Sequence, residues 1–253
     1  MRRSATPVIN SARRPACPRG AVQRPLRLPF AMAASVMPIF ATPFGVVPLP
    51  EAEKHNPALG ELLRARAAAD ARGGAAGSTP LCYLSAEDLL DWGRGSPELS
   101  RVCSDMLGGV LAVVDSVNRF APAQLQSFTA QARGSFAIVR LNGNVPAVQY
   151  SQSAWCAIYC VATPPPSQVR QDSGLLRLYE GRLGTMFADA TNSTMHTLYA
   201  NGHCTWRPVP GSVAVFPAWV RHEIALLRSP GELILLTLRV RFVAPGQEGP
   251  ANW

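Results

Sequence analysis

The feature that most constrains this chain is a run of eight short β-type segments between residues 135 and 243, with no helical segment between any two of them. They are Ser135–Leu141, Ala147–Gln149, Ala154–Ala162, Gly174–Tyr179, His203–Arg207, Ser212–Phe216, His222–Leu227 and Leu233–Val243. Each is short and β-branched or aromatic, and Gly, Pro and Asn turns separate them. A parallel βαβ layout needs crossover helices, and none is present. Two antiparallel sheets remain.

Upstream the periodicity is helical. Residues 51–72 predict a helix, with Asn56 and Pro57 as N-cap and first turn and an Ala-rich run behind them. Ser85 is placed to cap a short helix through Trp92. Ser96-Pro97-Glu98 opens a longer helix to about Phe120, whose Leu99, Val102, Met106, Val110, Val114 and Val117 recur at helical spacing. Pro122 starts another short helix through about Gln131. Residues 37–50, punctuated by prolines, predict an extended segment of edge-strand character. Helices followed by strands give an α+β fold, with the N-terminal helices packed on one sheet. The expected divisions are 1–36, a basic leader; 37–132, the extended segment and helices; 133–243, the jelly roll; and 244–253, a tail.

Charge does not point to nucleic acid. The net charge is +8, but residues 1–36 hold seven of the 24 basic residues and no acidic one, leaving 17 basic against 16 acidic residues elsewhere. The basicity describes a tail rather than a face. That tail reads as a transit peptide, as leader sequence ahead of a start at Met32 or Met37, or as a disordered extension. Its five prolines oppose an amphipathic targeting helix. The stretch 30–50 is too interrupted by proline to span a membrane. The six cysteines form no CxxC pair, and Cys156 and Cys160 on one strand would lie roughly 13 Å apart. Reduced thiols and a cytoplasmic location are the expectation, with organelle import if the leader is a transit peptide.

Two stretches carry a family resemblance. Residues 208–222 read PVPGSVAVFPAWVRH: a Gly turn, an apolar strand, a Phe-Pro break, a tryptophan and a histidine opening the next strand. Residues 143–161 read GNVPAVQYSQSAWCAIYCV, followed by a Pro-rich turn and SGLLRLYEGR. Together with MPIFATPFGVVPLP, these resemble a bacterial family of iron(II)/2-oxoglutarate oxygenases over about residues 37–242. The resemblance implies a double-stranded β-helix (jelly roll). It also implies a metal site of two histidines and a carboxylate or close variant, with an arginine for the 2-oxoglutarate carboxylate.

On that resemblance the last histidine is His222. The i, i+2 ligand pair falls on Gln149 and Ser151, an amide and a hydroxyl that are poor ligands for ferrous ion. Leu233 stands where the arginine belongs. The implied protein is a degenerate member that keeps a pocket for a small-molecule or protein ligand and needs no cofactor. The alternative is an active dioxygenase using Fe(II) and 2-oxoglutarate at a non-standard site. Arg239 and Tyr159 are candidate ligand-binding residues. His196 and His203 could join His222 in a three-histidine metal site, which requires the three to converge.

Overall fold

A computed structural model describes residues 41–73, 79–166, 171–179, 181 and 202–244. Its strands are β1 (Gly45–Pro48), β2 (Cys82–Leu84), β3 (Thr129–Arg140), β4 (Val145–Val148), β5 (Trp155–Ala162), β6 (Leu176–Tyr179), β7 (His203–Trp206), β8 (Ser212–Pro217), β9 (His222–Ile224) and β10 (Glu232–Val243). They form a six-stranded sheet, β1-β8-β5-β10-β3-β2, facing a four-stranded sheet, β4-β9-β6-β7. Every pairing between these strands is antiparallel, as the absence of crossover helices requires. The architecture is the expected α+β jelly roll.

The helices are α1 (Ala52–Gly73), α2 (Leu89–Gly93), α3 (Pro97–Asn118) and α4 (Pro122–Ser127). The start of α3 obeys its sequence. Ser96 is extended, its Oγ accepts from the Leu99 backbone N–H at 3.3 Å, and Pro97 occupies the first turn, where its missing N–H costs nothing. The helix ends where Arg119 turns left-handed at φ 52°.

Two other helix starts differ from expectation. Helix α1 begins at Ala52, so Pro57 lies inside it rather than at its first position. Asn56 does not cap it; its Oδ1 accepts a hydrogen bond from the Tyr159 hydroxyl at 2.6 Å. Ser85 does not cap α2 either. Its Oγ accepts from the Phe136 backbone N–H at 2.8 Å, which ties the loop to β3. In both cases a tertiary partner claims the side chain that local chemistry would have used as a cap.

The six-stranded sheet is apolar on both faces. One face packs on α1, α2 and α3, through Phe136, Ile138, Ala157, Tyr159, Val213, Val215, Ile234 and Leu236. The other faces the second sheet and fills the barrel with Ala137, Val139, Cys156, Ile158, Cys160, Ala214, Phe216 and Leu235, closed by Leu176, Leu178 and Ile224. Strands β1 and β2 extend this sheet from the N-terminal part of the chain, and β3 starts at Thr129. The expected boundary between residues 132 and 133 lies within β3. Among the described residues, no helix is long and apolar enough to cross a membrane.

Candidate functional site

His222 opens β9 and points into one mouth of the barrel, where its residue is only 4% exposed. Its Nδ1 lies 2.9 Å from the Val220 carbonyl oxygen. Only an N–H can make that contact, so the proton belongs on Nδ1 and the lone pair on Nε2. Nε2 lies 4.0 Å from Sγ of Cys156 on β5. The Phe216 ring meets the imidazole edge-on at 4.9 Å and the Tyr150 ring lies 5.7 Å away. Burial lowers the pKa of His222, and the Val220 carbonyl only partly opposes this. Burial likewise pushes the Cys156 thiol far up, with Arg239 pulling the other way, so both partners are uncharged near neutral pH.

Arg239, on β10, completes the mouth. It pairs with Cys156 in the strand register and shares the barrel-facing side of the sheet. Its guanidinium carbon lies 4.6 Å from the Tyr150 ring centroid, a cation–π contact. It also hydrogen-bonds and ion-pairs with Glu87, whose carboxylate is partly open to solvent. The Tyr150 hydroxyl is raised to about 12, chiefly by burial.

The expected ligand pair does not face this histidine. Gln149 and Ser151 are exposed. Val148 is the register partner of His222, and Tyr150 is the ring against it. The cause is a register irregularity between Val145 and Val148, which puts the alternation out of phase by one residue.

Leu233 faces the barrel interior but stands six residues from Arg239 on the same strand, about 20 Å along it. There it lines a cavity of about 70 Å³ at the other end with Ser173, Gly174, Leu227 and Ser229. Tyr159 is fully buried on the opposite, helix-covered face of β5 and does not reach the mouth. His203 is exposed on edge strand β7, paired with Tyr179, whereas Leu178 is the residue in register with His222. Adjacent strand residues point to opposite faces, so His203 turns away from the barrel and does not converge with His222. His196 lies outside the described residues. Sequence reasoning placed His222 and Arg239 but missed Tyr150, Cys156 and Glu87. The alternation of β5 could have flagged Cys156; nothing local marks Glu87, which comes from 152 residues before Arg239.

Among the described residues, the groups around His222 do not make up the two histidines and a carboxylate of such an iron site. Its described neighbours are a thiol, two aromatic rings, a valine and a leucine, and no group of three His, Cys, Asp or Glu gathers anywhere among the described residues.

No protein-family model matches the sequence, and no curated protein matches it. Solved structures do match the fold. HygX from Streptomyces hygroscopicus, solved with nickel and 2-oxoglutarate bound, is similar over 81% of this chain and 84% of its own, at 10% identity and a TM-score of 0.51. A prolyl-4-hydroxylase from Pseudomonas putida matches over 78% and 91% at 15% identity, with a TM-score of 0.49. AviO1 from Streptomyces viridochromogenes matches over 83% and 94% at 15% identity, also at 0.49. The chain has a jelly-roll fold like that of HygX, which was solved with nickel and 2-oxoglutarate bound. At such low identity the likeness is one of fold.

Proposed function

We propose that this chain is a binding protein built on an oxygenase-like jelly roll, taking an anionic group at the barrel mouth without iron-dependent oxidation. The observation that carries this reading is the set of side chains around His222. Val148 lies across the strand pair from it, and Tyr150 and Phe216 pack on its ring. An iron site of two histidines and a carboxylate needs a second imidazole and a charged oxygen donor beside His222, and the described groups there, a thiol, an alkyl group and two rings, supply neither.

Arg239 sets the ligand preference. A guanidinium holds its charge at every physiological pH and matches a carboxylate with two parallel N–H groups. Its present partner, Glu87, is a carboxylate of the chain itself, so a carboxylate on a small molecule or a protein segment has the chemistry to replace it.

The test uses the purified full chain, supplied anaerobically with ferrous ion and 2-oxoglutarate and then with oxygen. No succinate should form above the protein-free rate, and desalted protein should retain no stoichiometric iron. Iron-dependent succinate formation that disappears in His222→Ala would overturn the proposal.

A further inference from the structure

We propose that Cys156 and His222 form a buried two-donor site for one soft monovalent cation, cuprous ion being the biological case. The reading goes beyond carboxylate binding at Arg239 and does not depend on it.

Four observations converge. The Val220 carbonyl fixes the imidazole tautomer from behind, at 2.9 Å, which is how proteins commonly orient a metal-binding histidine. The Nε2 lone pair then faces the Cys156 thiol, whose S–H hydrogen bond it accepts, and thiolate with imidazole is a donor set that soft ions prefer. The Sγ to Nε2 distance is 4.0 Å. Metal bonds of about 2.0 Å to nitrogen and about 2.3 Å to sulfur span about 4.3 Å end to end and about 3.5 Å at tetrahedral angles, so a 4.0 Å separation corresponds to a bent two-donor arrangement of roughly 140°, wider than tetrahedral. Among the described residues, the surroundings supply rings and alkyl groups rather than further ligands, so a low coordination number is the one they offer.

Charge decides the valence. On binding, the Sγ–H bond breaks, an Sγ–metal bond forms, and the proton leaves to solvent. One positive charge enters and one departs, and no oxidation state changes. A monovalent ion therefore leaves the fully buried Cys156 site at its original net charge. A divalent ion would strand an extra positive charge in an apolar interior that already adjoins the Arg239 guanidinium.

The experiment titrates the full chain anaerobically with cuprous ion against a chromophoric cuprous chelator, with Cys17 and Cys204 both replaced by serine to remove the leader and surface thiols. One equivalent should be withdrawn from the chelator. X-ray absorption of that complex should show one sulfur and one nitrogen at about 2 Å. Cys156→Ala and His222→Phe should each weaken binding at least 100-fold, while Cys160→Ala, on the same strand and face, should change it less than three-fold. The absorption measurement needs no further variant, so it decides the matter even if a core substitution fails to fold. A first shell with two sulfurs, binding that survives Cys156→Ala, zinc or ferrous ion held as tightly as cuprous ion, or no withdrawal from the chelator would each overturn the proposal.

Discussion

Arg239 carries its guanidinium 4.6 Å from the centroid of the Tyr150 ring, and on its other side it holds Glu87. The same cation is thus stacked on a side chain that touches His222 and neutralised by one that touches solvent. This asymmetry makes the carboxylate the exchangeable partner. Replacing Glu87 with Gln should strengthen binding of a glutarate probe about five-fold, the equivalent of the roughly 1 kcal/mol that a partly exposed pair contributes. Arg239→Met should abolish it. Calorimetric titration reads both, and equal affinity in wild type and Arg239→Met would remove Arg239 as the anchor.

The lowered pKa of His222 makes folding pH-dependent with a definite sign. Above pH 6.5, the imidazole is neutral in both folded and unfolded chains and adds nothing. Below it, the unfolded chain binds the proton first, so stability falls as pH falls until the folded histidine also titrates. The limiting slope is about 1.4 kcal/mol per pH unit. Urea unfolding at pH 7.5 and pH 5.5, compared between wild type and His222→Gln, should show the loss in wild type alone. Parallel pH dependence in the two would assign it to other groups.

Phe136 joins the sheet to the helices. It is 2% exposed, with the Tyr83 ring 5.2 Å away and the Trp92 ring stacked at 6.2 Å. Truncation to alanine should cost about 3–5 kcal/mol, since neither the sheet nor α2 can collapse into the space. Denaturant midpoints at constant slope would measure it; a cost under 1 kcal/mol would mean that this face of the sheet is not packed as described.

Thiol labelling should separate the cysteines by depth. Cys204 is exposed, whereas Cys82, Cys103, Cys156 and Cys160 are buried. Burial raises Cys82 to about 11 and Cys103 and Cys160 to about 12, which leaves almost no thiolate at pH 8. Peptide mapping after a short iodoacetamide pulse should find Cys204 modified, and these four only after unfolding. Rapid native labelling of Cys156 would show that the mouth is open to solvent.

The outline of the fold was legible in the chain. Short apolar segments with no helices between them left two antiparallel sheets as the solution, and the spacing from Leu99 to Val114 gave α3. His222, opening a strand after the Phe-Pro break, was also legible as a barrel residue. The site around it was less so. Counting by twos from the resemblance placed Gln149 and Ser151 beside His222, but the irregular register between Val145 and Val148 turned them to solvent and left Val148 and Tyr150 in their place.

Period-two alternation tells which residues of a strand share a face. It does not tell which of two faces is the barrel when both are buried, and here the six-stranded sheet is apolar on both sides. Alternation puts Cys156 and Tyr159 on opposite faces of β5 without saying which of them meets His222. The packing of α1 against one face assigned Tyr159 to Asn56 and left Cys156 for the imidazole. Local sequence determined the elements and their periodicity, because those depend on neighbours along the chain. Tertiary structure decided the composition of the mouth, because it gathers Glu87, Tyr150, Cys156, His222 and Arg239 from segments up to 152 residues apart.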